Sequence, residues 1–204
     1  MTMIIQDPDT QRRVIARRRR LGQDKFDEVW NGVYVMAPMA NIEHQEFVSG
    51  LDCLLGEVVR SAKLGMVLPG TNVSDQRADW KKNFRCPDVA VFLNDTKAIK
   101  CGTHWFGGPD FAVEIASPGE KVKRKLVFYA KVGTRELLIV DRYPWKLSLY
   151  RLEEGELQLA GTSSVELGEW LPSHVVPLSF RLIDGVERPR IDVGHSNGQQ
   201  TWVI

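Results

Sequence analysis

Little in this chain ties it to itself covalently or to a membrane. Its three cysteines, Cys53, Cys86 and Cys101, are odd in number and far apart, and no Cys-x-x-Cys occurs. The four histidines are scattered as well. This excludes a disulfide framework and a zinc module, and leaves reduced, buried thiols as the expectation. No apolar run approaches the ~18 residues of a membrane span. The opening stretch MTMIIQDPDTQRR lacks a basic region followed by an apolar one, so no signal peptide is read and a cytoplasmic location is expected. Nucleotide-binding loops of the G-x-x-x-x-G-K-[ST] or G-x-G-x-x-G kind are missing. No His-Glu-x-x-His occurs, and no hydrolase nucleophile elbow is read.

Charge of either sign is not in excess: 27 Lys and Arg face 26 Asp and Glu, a net charge of +1. The distribution is uneven. QRRVIARRRR, residues 11 to 20, holds six arginines and no acid; SPGEKVKRKLVFYAK, residues 117 to 131, holds five basic residues against Glu120. Residues 152 to 170 carry Glu153, Glu154, Glu156, Glu166 and Glu169 with no Lys or Arg. Such asymmetry suits a face that meets phosphate, and equally suits solvated basic helices. At 204 residues, 43% hydrophobic and 26% charged, the chain has ordinary globular composition and room for a real core. We expect one domain over 1–204, with a core from about 26 to 185, a basic N-terminal helix over 10–21 and a C-terminal tail over 186–204.

DTQRRVIARRRRLGQ suits a short helix that stops near Gly22. In DEVWNGVYVM, Asn31-Gly32 supplies a type I′ turn between two short strands. From Asn41, a plausible N-cap, to Lys63 the apolar residues Leu51, Leu54, Leu55, Val58 and Val59 recur at helical spacing, with Gly65 as the stop. MVLPGTNVS, CPDVAVFL, DFAVEIAS and RELLIVD read as buried strands, and NDTKAIKCGTHWFGGP as a polar connection. SPGEKVKRKLVFYAKVG reads as a helix capped by Ser117, opened by Pro118 and closed by Gly133, with Leu126, Tyr129 and Ala130 toward the core. WKLSLYRLEEGELQLA is a hairpin turning at Glu154-Gly155, and HVVPLSFRLI a late strand. The six tryptophans form no stacking repeat and read as core or interface residues. Helix, strand, strand, strand, helix, strand makes an α/β unit with a mixed sheet flanked by helices.

Two of those apolar strands each carry an acid: Asp88 in RCPDVAVF and Glu114 in DFAVEIAS. A carboxylate at the edge of a core is costly unless compensated. On neighbouring strands, about 4.8 Å apart, the two can share one divalent cation, and the Ile115 carbonyl can add a ligand. Mg²⁺ takes one or two protein carboxylates and keeps sites for water and phosphate, and Mn²⁺ can stand in. The basic helix that follows brings Lys121, Lys123, Arg124 and Lys125 nearby. An ammonium beside the ion orients water and balances phosphate charge. Either acid alone serves equally as a helix cap or as half of a structural ion pair.

PDVAVF, DFAVEIASPG, KLVFYAKVGTRELLIVD and LSLYRL, with DEVWNGVYVMAP and EHQ upstream, resemble a bacterial restriction-endonuclease family, known as a domain of unknown function, within the PD-(D/E)XK nuclease superfamily. The resemblance runs from about residue 20 to 185. It implies a restriction-endonuclease-like core with added N-terminal and C-terminal hairpins, and a Mg²⁺-dependent endonuclease acting on DNA, with a homodimer as an option. By it, Asp88 is the metal-binding aspartate and Glu114 the acid of the (D/E)-x-K element. Ala116 stands where the lysine belongs, and Lys125, from the following helix, is the residue that matches, with Lys123 beside it. Glu120 fits an acid at the start of that helix, Glu28 an acid before the hairpin turn, and His44 a histidine on the first core helix. The missing lysine also motivates a different reading, a catalytically inactive nuclease-like module that binds DNA or protein. A third is an interaction protein whose acids are only structural ion pairs.

Overall fold

The computed structural model describes residues 7–116 and 122–204. Helix α1 (Pro8–Arg20) starts under Asp7, whose carboxylate accepts the Thr10 amide at 2.7 Å. β1 (Glu28–Trp30) and β2 (Val33–Val35) turn through Asn31 and Gly32 at φ of 50° and 84°, the left-handed pair that a type I′ turn requires. Asn41 caps α2 (Ile42–Leu55), accepting the His44 amide at 2.9 Å. The helix runs on as a wider π-turn over Gly56–Arg60 and the chain leaves it at Lys63, φ 55°. Gly65 is not the helix stop. It opens β3 (Gly65–Pro69), where a Cβ would lie 2.2 Å from the Phe92 carbonyl oxygen; the close approach of two strands requires glycine there.

The expected strand MVLPGTNVS is two pieces: after β3 the chain bends at Gly70, φ 58°, before β4 (Val73–Ser74). A 3-10 turn (Trp80–Lys82) leads to β5 (Phe84–Arg85) and β6 (Val89–Leu93). The polar connection that follows contains a small hairpin, β7 (Ile99–Lys100) and β8 (Trp105–Phe106), in which Trp105 stacks on Phe92 at 3.8 Å. Then come β9 (Phe111–Ile115), α3 (Val122–Lys131), β10 (Glu136–Arg142), β11 (Trp145–Glu153) and β12 (Glu156–Ser163). The proposed cap at Ser117 and Pro118 lies outside the described residues; Gly133, φ 81°, closes α3 as expected. Last are β13 (Leu171–Pro172), β14 (Leu178–Ile183), β15 (Arg190–His195) and β16 (Thr201–Val203). The stretch read as a tail therefore supplies two strands, with Ile191 and Val193 fully buried.

The central sheet runs β12-β11-β10-β9-β6-β3; only β9 and β10 in it are parallel, joined by the α3 crossover. A second sheet runs β2-β1-β5-β4-β8-β7 and a third β13-β14-β15-β16. Side chains alternate across the central sheet. Val89, Val91, Phe111, Val113 and Ile115 face Phe47, Leu51 and Leu55 of α2 and Phe180 and Val193 of the third sheet. Ala90, Phe92, Ala112, Ala116, Leu137 and Ile139 face Phe128 and Tyr129 of α3. This is a mixed α/β fold with flanking helices.

Asp27, just ahead of β1, fixes α1 and the hairpin together. Its carboxylate accepts Arg18 Nε and Nη2, each at 2.7 Å, the Tyr34 hydroxyl at 2.5 Å and the Ala37 amide at 2.7 Å. Burial first, then the Asp27 bond, push the Tyr34 hydroxyl well above its ordinary pKa, so it stays a donor. Asp27→Ala strands the partly buried Arg18, and is expected to cost about 3–5 kcal/mol in urea unfolding; an unchanged midpoint would show that α1 is held elsewhere.

Candidate active site

The end of the β6–β9 pair brings the two strand acids together. In that antiparallel pairing Val89 lies opposite Val113 and Ala90 opposite Ala112, so the same register continued by one residue sets Asp88 opposite Glu114. Each has the parity of the alanines that face α3. The Asp88 carboxylate accepts the Ile115 amide at 2.7 Å through Oδ2, and Oδ1 lies 3.2 Å from His44 Nε2. Its side chain keeps 20% of its surface exposed, so Asp88 stands at the mouth. The backbone group of Ile115 that meets Asp88 is the N–H.

Glu114 is buried, at 4% exposure. Lys125 Nζ donates to its Oε2 at 2.6 Å and the Tyr129 hydroxyl to its Oε1 at 2.5 Å. Lys125 and Tyr129 are four apart on α3, one turn along the same face, so one helix surface delivers both donors. Burial, then the fields of Glu114 and Glu28, hold the Tyr129 hydroxyl well above its ordinary pKa, and it remains protonated and donating. Sequence reading placed Tyr129 in the core but missed its role. The signal was its i, i+4 spacing to Lys125 combined with a charged residue in the strand beneath.

Glu28 is also buried, and is not paired with the N-terminal helix; its neighbour Asp27 takes that part. Glu28 accepts Trp30 Nε1 at 2.5 Å and the Cys86 amide at 2.8 Å, reaching the chain two residues ahead of Asp88. Burial pushes the Cys86 thiol far up, and the charges of Glu28, Glu114 and Asp88 push the same way while Lys125 opposes them. Three carboxylates and one ammonium thus act on one thiol. Arg85, which no sequence pattern singled out, is buried between the rings of Trp30 at 4.6 Å and Phe128 at 4.2 Å. Burial works against its charge and Glu28 supports it.

The structure therefore brings together Asp88, Glu114, Lys125, Glu28 and His44. Glu120 lies outside the described residues, and so does the side chain of Lys123. Among the described residues no three His, Cys, Asp or Glu side chains converge as a ready-made metal cage; the available donors are two carboxylates and backbone oxygen. Residues 194–198, GHSNG, spell G-x-S-x-G, but they close the β15–β16 hairpin rather than a strand-to-helix turn, so no nucleophile elbow forms.

The family profile described as "Uma2: Putative restriction endonuclease" matches residues 18–184. The chain belongs to the Uma2 family. Its fold is shared by a solved structure, described as "a putative nuclease belonging to DUF820" from Anabaena variabilis ATCC 29413, at 20% identity and a TM-score of 0.52, over 65% of this chain and 75% of that one. A search of curated proteins finds no match. No helix among the described residues of this Uma2 protein is long and apolar enough to cross a membrane.

The buried Glu114–Lys125 pair makes a measurable statement. Lys125→Met removes the ammonium that Glu114 holds at 2.6 Å, and is expected to cost about 3–5 kcal/mol. Adding Glu114→Gln is expected to restore much of that loss, giving a strongly non-additive double-mutant cycle in urea unfolding. Additive effects would mean that the pair is not coupled.

Proposed function

We propose that this Uma2 protein is a metal-dependent endonuclease that hydrolyses phosphodiester bonds in DNA. One observation carries the reading: Asp88 and Glu114 stand opposite each other at one end of a strand pair, with the Lys125 amine 2.6 Å from Glu114. Family membership supports nuclease chemistry independently.

The donor set fits Mg²⁺, or Mn²⁺ in its place. Both acids offer hard oxygen and one of them is open to solvent, as suits an ion that keeps most of its positions for water and phosphate. Asp88, Glu114 and the Ile115 carbonyl would hold it. When bound, the ion supplies positive charge to the phosphate and acidity to nearby water. The remaining work falls to the chain. The Ile115 amide fixes one oxygen of Asp88, and Tyr129 fixes one of Glu114. Lys125, held on the other oxygen of Glu114, orients the attacking water and offsets charge that grows on the phosphate. Water attacks phosphorus in line with the departing sugar oxygen; a P–O bond forms, a P–O bond breaks, and the proton released by the water is balanced by the one the sugar oxygen gains. Glu28 and His44 flank the site, His44 by contact with Asp88. Cutting both strands of a duplex calls for two copies, which a homodimer would provide.

A second reading rests on Lys125 itself. An amine locked in a buried ion pair, on a chain with Ala116 at the strand position, also suits a nuclease-like module that binds without cutting.

Plasmid cleavage separates the two. With Mg²⁺ or Mn²⁺ we expect nicking or linearisation that EDTA abolishes. Asp88→Asn, Glu114→Ala and Lys125→Met should each lower the rate on the order of 10²-fold or more. Tyr129→Phe should weaken divalent-ion binding by calorimetry while the protein stays folded. Cleavage that persists in EDTA or in Glu114→Ala would sink the assignment of these residues, and a wild type that binds plasmid without cutting it would favour the binding module.

A further inference from the structure

We infer that the exposed face of α1 is a clamp for the sugar-phosphate backbone of duplex DNA, with Arg13, Arg17 and Arg20 as its phosphate contacts. The inference rests on the nuclease reading above and adds to it a substrate surface outside the candidate active site.

Half of the six arginines of α1 are engaged within the protein. Arg12 pairs with Asp9, Arg18 with Asp27, and Arg19 lies 3.9 Å from Asp24. Arg13, Arg17 and Arg20 are exposed and form no ion pair with any described residue; Arg13 has only the Thr10 hydroxyl, at 3.5 Å. Their spacing, i, i+4 and i+7, lines them along one stripe of the helix, opposite the half-buried Val14, Ile15 and Arg18. At 1.5 Å per residue the stripe spans about 10.5 Å. A DNA strand presents a phosphate every ~3.4 Å of helix axis, so the stripe matches about three phosphate intervals.

Stability alone does not account for the stripe. Like charges at i, i+4 destabilise a helix. The helix dipole favours cations in the last turn, which covers Arg17 and Arg20 but not Arg13 near the middle. A polyanion offsets all three. Of the polyanions, a nucleic acid fits better than a membrane: the described exposed positions of α1 are Asp9, already paired with Arg12, five arginines and one alanine, so the exposed face offers no large apolar side chain to enter a bilayer.

The stripe is also held in place. Arg18 donates to Asp27 twice and to the carbonyls of Gln23 and Ala37. The next residue after Asp27 is Glu28, whose carboxylate takes the Cys86 amide beside Asp88. Two successive residues at the entry to β1 thus tie the basic helix and the candidate active site to the same frame.

The test uses the full chain, a short DNA duplex of arbitrary sequence, and fluorescence anisotropy in EDTA across a salt series. Arg13→Gln/Arg17→Gln/Arg20→Gln should weaken binding at least tenfold at low salt. The slope of log K against log salt should fall by up to about 2.7, or 0.9 per lost phosphate contact. The triple Arg→Lys variant keeps the charges and should keep the slope. Hydrolysis of bis(4-nitrophenyl) phosphate, which carries a single phosphate and no duplex backbone, should be unchanged in both variants. An unchanged slope in the glutamine variant overturns the clamp, as does equal loss in the lysine variant, or a wild type that binds anionic phospholipid vesicles but not the duplex. A wild type that hydrolyses neither substrate, yet loses duplex binding in the glutamine variant, overturns the nuclease reading and leaves the clamp standing.

Discussion

A carboxylate buried between a sheet and a helix sets the terms for this fold. Glu114 sits at 4% exposure on the α3 face of the central sheet, where an uncompensated charge would cost several kcal/mol. Lys125 and Tyr129, which both donate to it, lie on one stripe of α3. α3 therefore cannot dock on β9 and β10 in any rotation or register that leaves Glu114 without its donors. Hydrophobic packing of Phe128 and Tyr129 against Leu137 and Ile139 sets the strength of the contact; Glu114 sets its alignment. The small residues Ala90, Ala112 and Ala116 on the same face leave room for the helix to come close.

That constraint bears on position 116, where the (D/E)-x-K spacing is broken. A lysine two residues after Glu114 on the strand would share its face and approach from the sheet. Ala116 stands there instead, and the amine comes from the helix above. The two routes differ in what they demand of the fold. A strand lysine is placed by the strand alone, whereas Lys125 is in place only when the crossover helix is docked. The amine, the Tyr129 hydroxyl and the Glu114 carboxylate consequently form one unit with the β9–α3–β10 crossover, and the candidate site exists only in the folded packing.

Local signals in the sequence reached the frame. Asn31-Gly32 and Glu154-Gly155 fixed their hairpins because only a left-handed pair makes those turns, and both pairs have positive φ. Asp88 and Glu114 were conspicuous because a charge in an apolar strand needs a reason. What stayed hidden depends on contacts between distant segments. The β7–β8 hairpin is too short and polar to show a period, and it is held by contacts from distant segments, the stack of Trp105 on Phe92 and the pairing of β8 with β4. Residues 190–203 alternate only weakly, yet Ile191 and Val193 complete the core from the far end of the chain. Gly65 looked like a helix stop, since a sequence does not show that a carbonyl lies where its side chain would be. Arg85 carried no pattern; its two rings come from residues 30 and 128.

The two acids differ in a way that their sequence contexts did not reveal. Glu114 is enclosed and engaged on both oxygens, while Asp88 keeps a fifth of its side chain open beside His44. Anything that approaches the pair from solvent meets Asp88 first. An enclosed carboxylate with its partners already in place gives a fixed reference point, and an open one gives access. The β6–β9 register sets the two opposite each other, so fixity and access are combined at one point of the surface without a flexible loop having to bring them together. Pro87 contributes to this arrangement. It ends the preceding segment without an N–H to pair, and the chain enters β6 with Asp88 as the last residue outside the ladder.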